Sequence, residues 1–320
     1  MMIDGESTTN RSPSHYLIDA TPASDIWSDW LLGRRHGNDP NHAPVMKGMV
    51  DRIRDRVLDG AALQPGMLLV DVGAGDGLIA FGAFERIGPN LHAILADVSM
   101  PLLRRAEERA IAIGVRDRCT FLHTAAEQLD GVADATADVV IIRAVLAYVA
   151  DRDTAIRQVL RVLKPGGRVS IAEPVHQDQA IKLAALTARL QANPVGPCDR
   201  NALLVQRCLS AQLPSTLPDI QKLPLTNYTE RDLVQWFQKG GFADIHLELH
   251  IDVRKSPAMP WDTYIDTAPH PGAPTLREIF QANFSDAERS VFEQAIRPDV
   301  ESGQRIERST NAYLTAVKPR

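Results

Sequence analysis

The segment Leu69-Val70-Asp71-Val72-Gly73-Ala74-Gly75-Asp76-Gly77 constrains this chain more than any other. A short apolar run that ends in alternate glycines predicts a strand turning sharply into a helix. Glycine lets the backbone pass close to another group with no side chain between them. The helix that follows offers its first unpaired N–H groups to an anion. The pattern then repeats. Apolar runs at Met67 to Val72, Leu91 to Ala96, Cys119 to His123, Asp138 to Ile142 and Arg168 to Glu173 alternate with helical periods. One helix is capped by Ser99 and lined by Leu103, Ala106, Ala110 and Ile113; another carries Ile156, Val159, Leu160 and Leu163 and stops at Lys164-Pro165-Gly166-Gly167. Continuous apolar strands separated by amphipathic helices mean a parallel sheet covered on both faces. The expectation is a doubly wound α/β core over residues 65–175.

Around this core the rhythm differs. Residues 1–24, rich in Ser, Thr, Asp and Pro, predict a flexible arm. Residues 25–64 predict a helical lid. Its first helix holds Trp27, Trp30 and Leu31, its loop is Gly33-Arg34-Arg35-His36-Gly37-Asn38-Asp39-Pro40, and its second helix carries Met46, Met49, Val50, Ile53 and Val57 on one face. Residues 176–227 are mostly helix-like, interrupted by Asn193-Pro194-Val195-Gly196-Pro197, and predict a cap insertion. Residues 228–320 predict the final helix and strands of the core, with a second cap insertion at about 254–306. Here Ile245, Leu247, Leu249, Ile251 and Val253 alternate with His246, Glu248, His250 and Asp252, the mark of a half-buried strand; it is expected to run antiparallel to the rest. The last strand falls around Tyr313 to Val317. Connections as long as these need a packing role of their own. All three added segments are expected to meet over the carboxyl ends of the strands.

Composition narrows the function. The 320 residues carry 35 Lys and Arg against 40 Asp and Glu, a formal net charge of -5. That balance argues against a protein built to grip nucleic-acid phosphates. Cys119, Cys198 and Cys208 are too scattered for a disulfide framework or a zinc site, and no metal is expected. No apolar stretch has the length of a membrane span, and the polar N-terminus lacks the pattern of a signal peptide. The expectation is a cytoplasmic protein without membrane insertion; a homodimer is compatible with the sequence.

Asp97 closes the second strand, where a carboxylate can accept the hydroxyls of a ribose. The ordered set Asp71-x-Gly73-x-Gly75-x-Gly77, strand-end Asp97, Ala126-Glu127-Gln128-Leu129 and Leu163-Lys164-Pro165-Gly166-Gly167 resembles the class I S-adenosylmethionine-dependent methyltransferases. Within them it is similar to the small-molecule branch of ubiquinone/menaquinone-type and natural-product enzymes. The resemblance is close over residues 65–175, looser over the final helix and two strands, and weak elsewhere. It implies a Rossmann-like sheet, mostly parallel with an antiparallel C-terminal strand and helical cap insertions. It also implies direct in-line transfer of a methyl group from S-adenosyl-L-methionine to a small-molecule acceptor, leaving S-adenosyl-L-homocysteine. By that resemblance Gly73, Ala74, Gly75, Asp76 and Gly77 cradle the methionine part, Asp97 holds the ribose, Thr124, Ala125, Ala126 and Glu127 lie along the adenine, and Arg143 lies near the amino acid end. Asp71, at the end of the first strand, is placed to accept from an ammonium, and Val98 is counted with the cofactor-binding residues. Such enzymes commonly carry an acidic residue where Ala125 stands, so the adenine contact must come from elsewhere.

A nicotinamide dehydrogenase is the competing enzyme reading, and a cofactor-binding scaffold or regulatory subunit the non-enzymatic one. The glycines at 73, 75, 77 and 82 do not match the dinucleotide fingerprint, whose third glycine falls on Leu78. On the acceptor side, Tyr148 after the fourth strand, His176 after the fifth and His36 in the lid loop are the catalytic candidates. A general base is needed only if the acceptor must lose a proton. Cys198 and Cys208 also invite comparison with thiolate-dependent arsenite methyltransferases, but buried inert thiols explain them more simply.

Overall fold

The computed structural model describes residues 24–192, 196 and 199–320. Most of the predicted N-terminal arm, the 193–197 loop apart from Gly196, and Cys198 lie outside the described residues. The chain opens with α1 (Ile26–Leu32), a 3₁₀ turn (Arg34–His36) and α2 (Ala43–Ala61). The core follows as β1 (Leu68–Val72), α3 (Leu78–Ile87), β2 (His92–Asp97), α4 (Met100–Ala112), β3 (Cys119–His123), β4 (Ala137–Arg143), α5 (Arg152–Val162) and β5 (Leu163–Pro174). Next come α6 (Gln177–Ala192), α7 (Arg200–Gln212), α8 (Leu217–Lys222), α9 (Glu230–Lys239) and β6 (Ala243–Lys255). The chain finishes with α10 (Trp261–Ile265), α11 (Leu276–Asn283), α12 (Asp286–Glu301) and β7 (Ile306–Val317).

The strands form one seven-stranded sheet in the order β3-β2-β1-β4-β5-β7-β6. β1 to β5 are parallel, and β7 runs antiparallel to both β5 and β6. The reversed strand is therefore β7. The strictly alternating strand, β6, pairs antiparallel with β7 and so runs with the parallel set, not against it as its pattern suggested. Its apolar face is covered only in part: Ile245 and Leu247 pack against the core, whereas Leu249, Ile251 and Val253 are exposed. β6 is an edge strand, more exposed in its second half than in its first.

Apolar residues on the two faces of the sheet make two cores. One collects Val70, Ile142, Ile156, Leu233 and Phe237 under α5 and α9; the other collects Leu69, Ile141, Phe81, Leu103 and Val57 under α2, α3 and α4. The two insertions do not form separate caps. α7 from the first shares a third core with α10, α11 and α12 from the second, built on Leu204, Cys208, Trp261, Phe280 and Phe292. Arg207 on α7 pairs with Glu288 on α12 at 2.5 Å, tying the two together at their rim.

The sheet order also fixes where a ligand can go. The chain winds outward from β1 to β3 and then returns to β4 on the other side of β1. The crevice beyond the carboxyl ends of β1 and β4 is the switch point at which ligands bind in open α/β sheets.

Candidate active site

A cavity of about 650 Å³ opens at that switch point. Its floor is the turn after β1. Gly73, Gly75 and Gly77 adopt φ of +68°, +55° and +82°, in the left-handed region that a side chain strains. The turn is pinned to β2: Gly73 N–H and Ala74 N–H donate to the Ala96 carbonyl at 2.7 and 3.1 Å. Gly73 also lies against Val145, whose Cγ2 would stand 2.2 Å from an added Cβ. α3 then begins at Gly77 with no side-chain cap, so the helix start presents unsatisfied N–H groups near the cavity floor.

Two carboxylates hold this turn from below. Asp97, at the end of β2, accepts from Gly75 N–H and from Ser99 N–H, each at 2.7 Å. Asp71 accepts from Ala80 N–H at 3.1 Å and is 2% exposed. Burial raises the pKa of both, overriding the hydrogen bonds that favour the charged form; Asp71 is pushed up to about 7. Along the next wall run Val98, which is 47% exposed, and Thr124, Ala125, Ala126 and Glu127 of the loop after β3. Thr124 Oγ1 accepts from Asp130 N–H at 3.1 Å and shapes that loop.

A third carboxylate was not singled out by the sequence. Glu173, fully buried at the end of β5, accepts from three successive backbone N–H groups, Val145 at 2.9, Leu146 at 3.0 and Ala147 at 3.1 Å. Burial pushes it up to about 7. It thereby fixes the loop after β4, which carries Val145, Tyr148 and Val149 into the cavity wall. The available signal was an acidic residue closing a strand buried on both faces, a place where a carboxylate must find donors.

The roof comes from the lid. Trp27, Trp30, Leu31 and Leu32 of α1, Arg35 and His36 of the 3₁₀ turn, and Ala43, Lys47 and Val50 of α2 line the cavity; Pro271 of the second insertion completes the rim. α1 is locked at its start by a capping box between Asp25 and Ser28. It is tied to the second insertion by Trp30 Nε1–H donating to the Ala268 carbonyl at 2.8 Å. Arg34 reaches the Ala273 carbonyl and Glu278, and Thr263 Oγ1–H donates to Asp39 at 2.7 Å. Among the described residues, none of the first insertion lines the cavity; α7 of that segment packs against the second insertion.

Of the residues singled out for chemistry, Asp71, Gly73, Ala74, Gly75, Asp76, Asp97, Val98, Ala125, Ala126, Glu127, Arg143, Tyr148 and His36 all line this cavity. Gly77, the residue before α3, is not among the lining residues. Tyr148 packs edge-on against Trp27, with ring centroids 5.1 Å apart. Burial, with the nearby Glu173 charge, raises its phenol pKa, so it stays protonated. His36 Nε2 faces the Leu32 carbonyl at 2.9 Å. A carbonyl only accepts, so Nε2 carries the proton, and Nδ1 is left as a buried lone pair with no partner among the described residues. His176 stands apart from the cavity, with Nδ1 3.2 Å from Gln179 at the start of α6. The insertion carries it sideways after β5, so position just past a strand did not bring it to the site. Cys208 is buried in the helical cap core. Among the described residues no three potential ligands cluster as a metal site, and no helix is long and apolar enough to cross a membrane.

The class defined by this fold and site agrees with the comparisons. A family model for a methyltransferase domain matches residues 63–241. The ubiquinone/menaquinone biosynthesis C-methyltransferase UbiE of Vibrio campbellii is 32% identical over 130 residues, covering 40% of this chain and 50% of that protein. The tRNA 5-carboxymethoxyuridine methyltransferase of Escherichia coli is 36% identical over 118 residues, covering 37% of this chain and 43% of that protein. The chain thus spans about half the length of the curated relatives it matches. The YcgJ protein of Bacillus subtilis shares the fold, with a TM-score of 0.52 at 21% identity over 84% of this chain and 99% of its own. This chain belongs to the methyltransferase domain family.

Proposed function

We propose that the protein transfers the methyl group of S-adenosylmethionine to a small molecule held in the cavity under its lid. One observation carries this reading. The glycine turn, the strand-end Asp97, the buried Asp71 and the part-buried Arg143 converge on a single cavity at the switch point of the sheet. Those residues fit a ligand that is part nucleoside and part amino acid. The turn leaves room where side chains would stand, Asp97 can accept from ribose hydroxyls, and Asp71 with Asp76 suits an ammonium group. Arg143 suits a carboxylate. Val98 and Ala126 offer apolar surface to an adenine, and Glu127 supplies the carboxylate that Ala125 lacks.

When bound, S-adenosylmethionine supplies an activated methyl group on a sulfonium, with a neutral thioether as leaving group. The protein's own part is then positioning and exclusion of water. Trp27, Trp30, Leu32, Val149 and Pro271 give the acceptor half of the cavity an apolar lining. Tyr148, held protonated, can donate a hydrogen bond to the acceptor. His36 Nδ1 can take a proton from an acceptor that must lose one. Residues 25–64 and the second insertion act together as the lid, opening to exchange ligands.

Thermal denaturation tests the reading. S-adenosylhomocysteine should raise the melting temperature, because it binds the folded state alone, and NADH should not. A rise with NADH and none with S-adenosylhomocysteine would favour a dehydrogenase.

A further inference from the structure

Arg35 lines the cavity from the lid, its guanidinium 5.6 Å from the Trp30 ring centroid. It makes no hydrogen bond or ion pair with any described residue, and its Nε is buried without a partner. Its neighbour Arg34 shows the alternative, reaching Glu278 at 2.6 Å. Arg143, at the end of β4, is in the same condition: the residue is part-buried, and its Nε is buried and unpartnered. The two guanidinium charges repel each other across the cavity. Asp76 attracts both, and Asp71 attracts Arg143. Burial, aided by Arg143, brings the Arg35 pKa down to about 10, so it remains charged at neutral pH. The other cations of the wall are differently placed. Lys47 pairs with Asp51 at 2.7 Å, Arg109 lies 4.9 Å over the Phe81 ring, and Arg105 is exposed to water.

A desolvated guanidinium without a partner is costly to keep. Asp76 attracts both from a distance, but neither guanidinium has a hydrogen-bond partner among the described residues, so each leaves a donor fork open to an anion in the cavity. The inference rests on the proposed cofactor reading, under which S-adenosylmethionine brings a single carboxylate. Arg143 stands beside Asp71 and Asp76 at the glycine turn, where that carboxylate belongs. Arg35 comes from the lid, beside Trp30 and next in the chain to His36, and the lid is where the proposed reading puts the acceptor. We propose that the acceptor carries an oxyanion, a carboxylate or a phosphate, on an apolar body, and that Arg35 is the residue that reads it. The planar fork of an arginine matches both groups through paired hydrogen bonds, and the nearby Trp30 ring supports it from one face. An anion in that place would also sit favourably beside a sulfonium.

The test uses the full chain saturated with S-adenosylhomocysteine and titrated by calorimetry. The probes are arylacetic acids from phenyl to naphthyl, each with its carboxamide and the corresponding arylmethyl phosphate. At least one anion should bind about tenfold or more tightly than its neutral amide, the scale of a charge-assisted pair. R35Q should abolish that preference, R35K should retain part of it, and both should hold S-adenosylhomocysteine as the wild type does. Preference for the acid identifies a carboxylate, and preference for the ester a phosphate. Equal binding of anions and amides, or binding of no anion at millimolar concentration, would overturn the inference. So would a tenfold loss of S-adenosylhomocysteine affinity in R35Q, which would give Arg35 to the cofactor. Failure of the wild type to bind S-adenosylhomocysteine would instead overturn the cofactor reading, and this inference with it.

Discussion

Replacing Asp71 by asparagine should stabilise the ligand-free protein, and by more at high pH than at low. Burial pushes the Asp71 carboxyl from an ordinary 3.8 up to about 7. The folded state therefore binds more protons than the unfolded state between those values, and stability falls as pH rises through that window before levelling off above about 7. At 1.36 kcal/mol for each tenfold change in the ionisation constant, ionised Asp71 costs about 4 kcal/mol above the window. At about pH 5 the cost is only about 2 kcal/mol, because the folded-state carboxyl is still protonated. The substituted amide would keep an oxygen to accept from Ala80 N–H and would carry no charge at either pH. Urea denaturation at about pH 5 and pH 8 should thus show the advantage of D71N over the wild type growing by about 2 kcal/mol or more. Glu173, which is also pushed up to about 7, is present in both proteins and largely cancels in the comparison. A difference between D71N and wild type that is the same at both pH values would refute the reasoning. The strain has a use under the proposed function: a bound ammonium would favour the ionised form, so S-adenosylhomocysteine affinity should rise through the same window.

Other perturbations test other parts of the site. Gly73→Ala places a Cβ 2.2 Å from Val145 Cγ2 at a φ of +68°; it should abolish S-adenosylhomocysteine binding by calorimetry while circular dichroism still reports the sheet. Wild-type affinity in that variant would show that the turn does not hold the ligand. Glu173→Ala leaves the N–H groups of Val145, Leu146 and Ala147 without their acceptor. The variant should lose about 2–5 kcal/mol in urea denaturation, and a loss below about 0.5 kcal/mol would deny Glu173 its anchoring role. Trp30→Phe removes the bond to the Ala268 carbonyl. Limited proteolysis should then cut the 33–42 loop faster in the ligand-free protein, and an unchanged rate would mean that this bond does not hold the lid.

The core was legible in the sequence because its signals are local. A strand buried on both faces is a continuous apolar run wherever it sits, and Gly73, Gly75 and Asp97 occupy places that chain order alone assigns to the switch point. The order of β6 and β7 was not legible. Alternation in Ile245 to Val253 reports that one face of a strand is apolar, not which neighbour it pairs with or how far its cover extends. Leu249, Ile251 and Val253 keep the pattern and are exposed. That the insertions meet was expected, but not where: the apolar faces of α7 and α12 are each plain helical stripes, and the fold packs α7 against the second insertion instead of over the cavity. His176 and Glu173 mark the limit at the site. They lie three residues apart, yet Glu173 anchors the loop beneath the cavity and His176 is carried away from it.

The central claim is that the glycine turn and Asp97 together hold the nucleoside and amino acid of S-adenosylmethionine. Calorimetric titration of wild type and Asp97→Ala with S-adenosylhomocysteine, run beside NADH, tests it most directly. The account predicts one S-adenosylhomocysteine site per chain in the wild type, no heat from NADH, and binding weaker by about 1.5–3 kcal/mol in Asp97→Ala, the scale of hydrogen bonds to a charged group. Equal affinity in the two proteins, or NADH bound in place of S-adenosylhomocysteine, would contradict it.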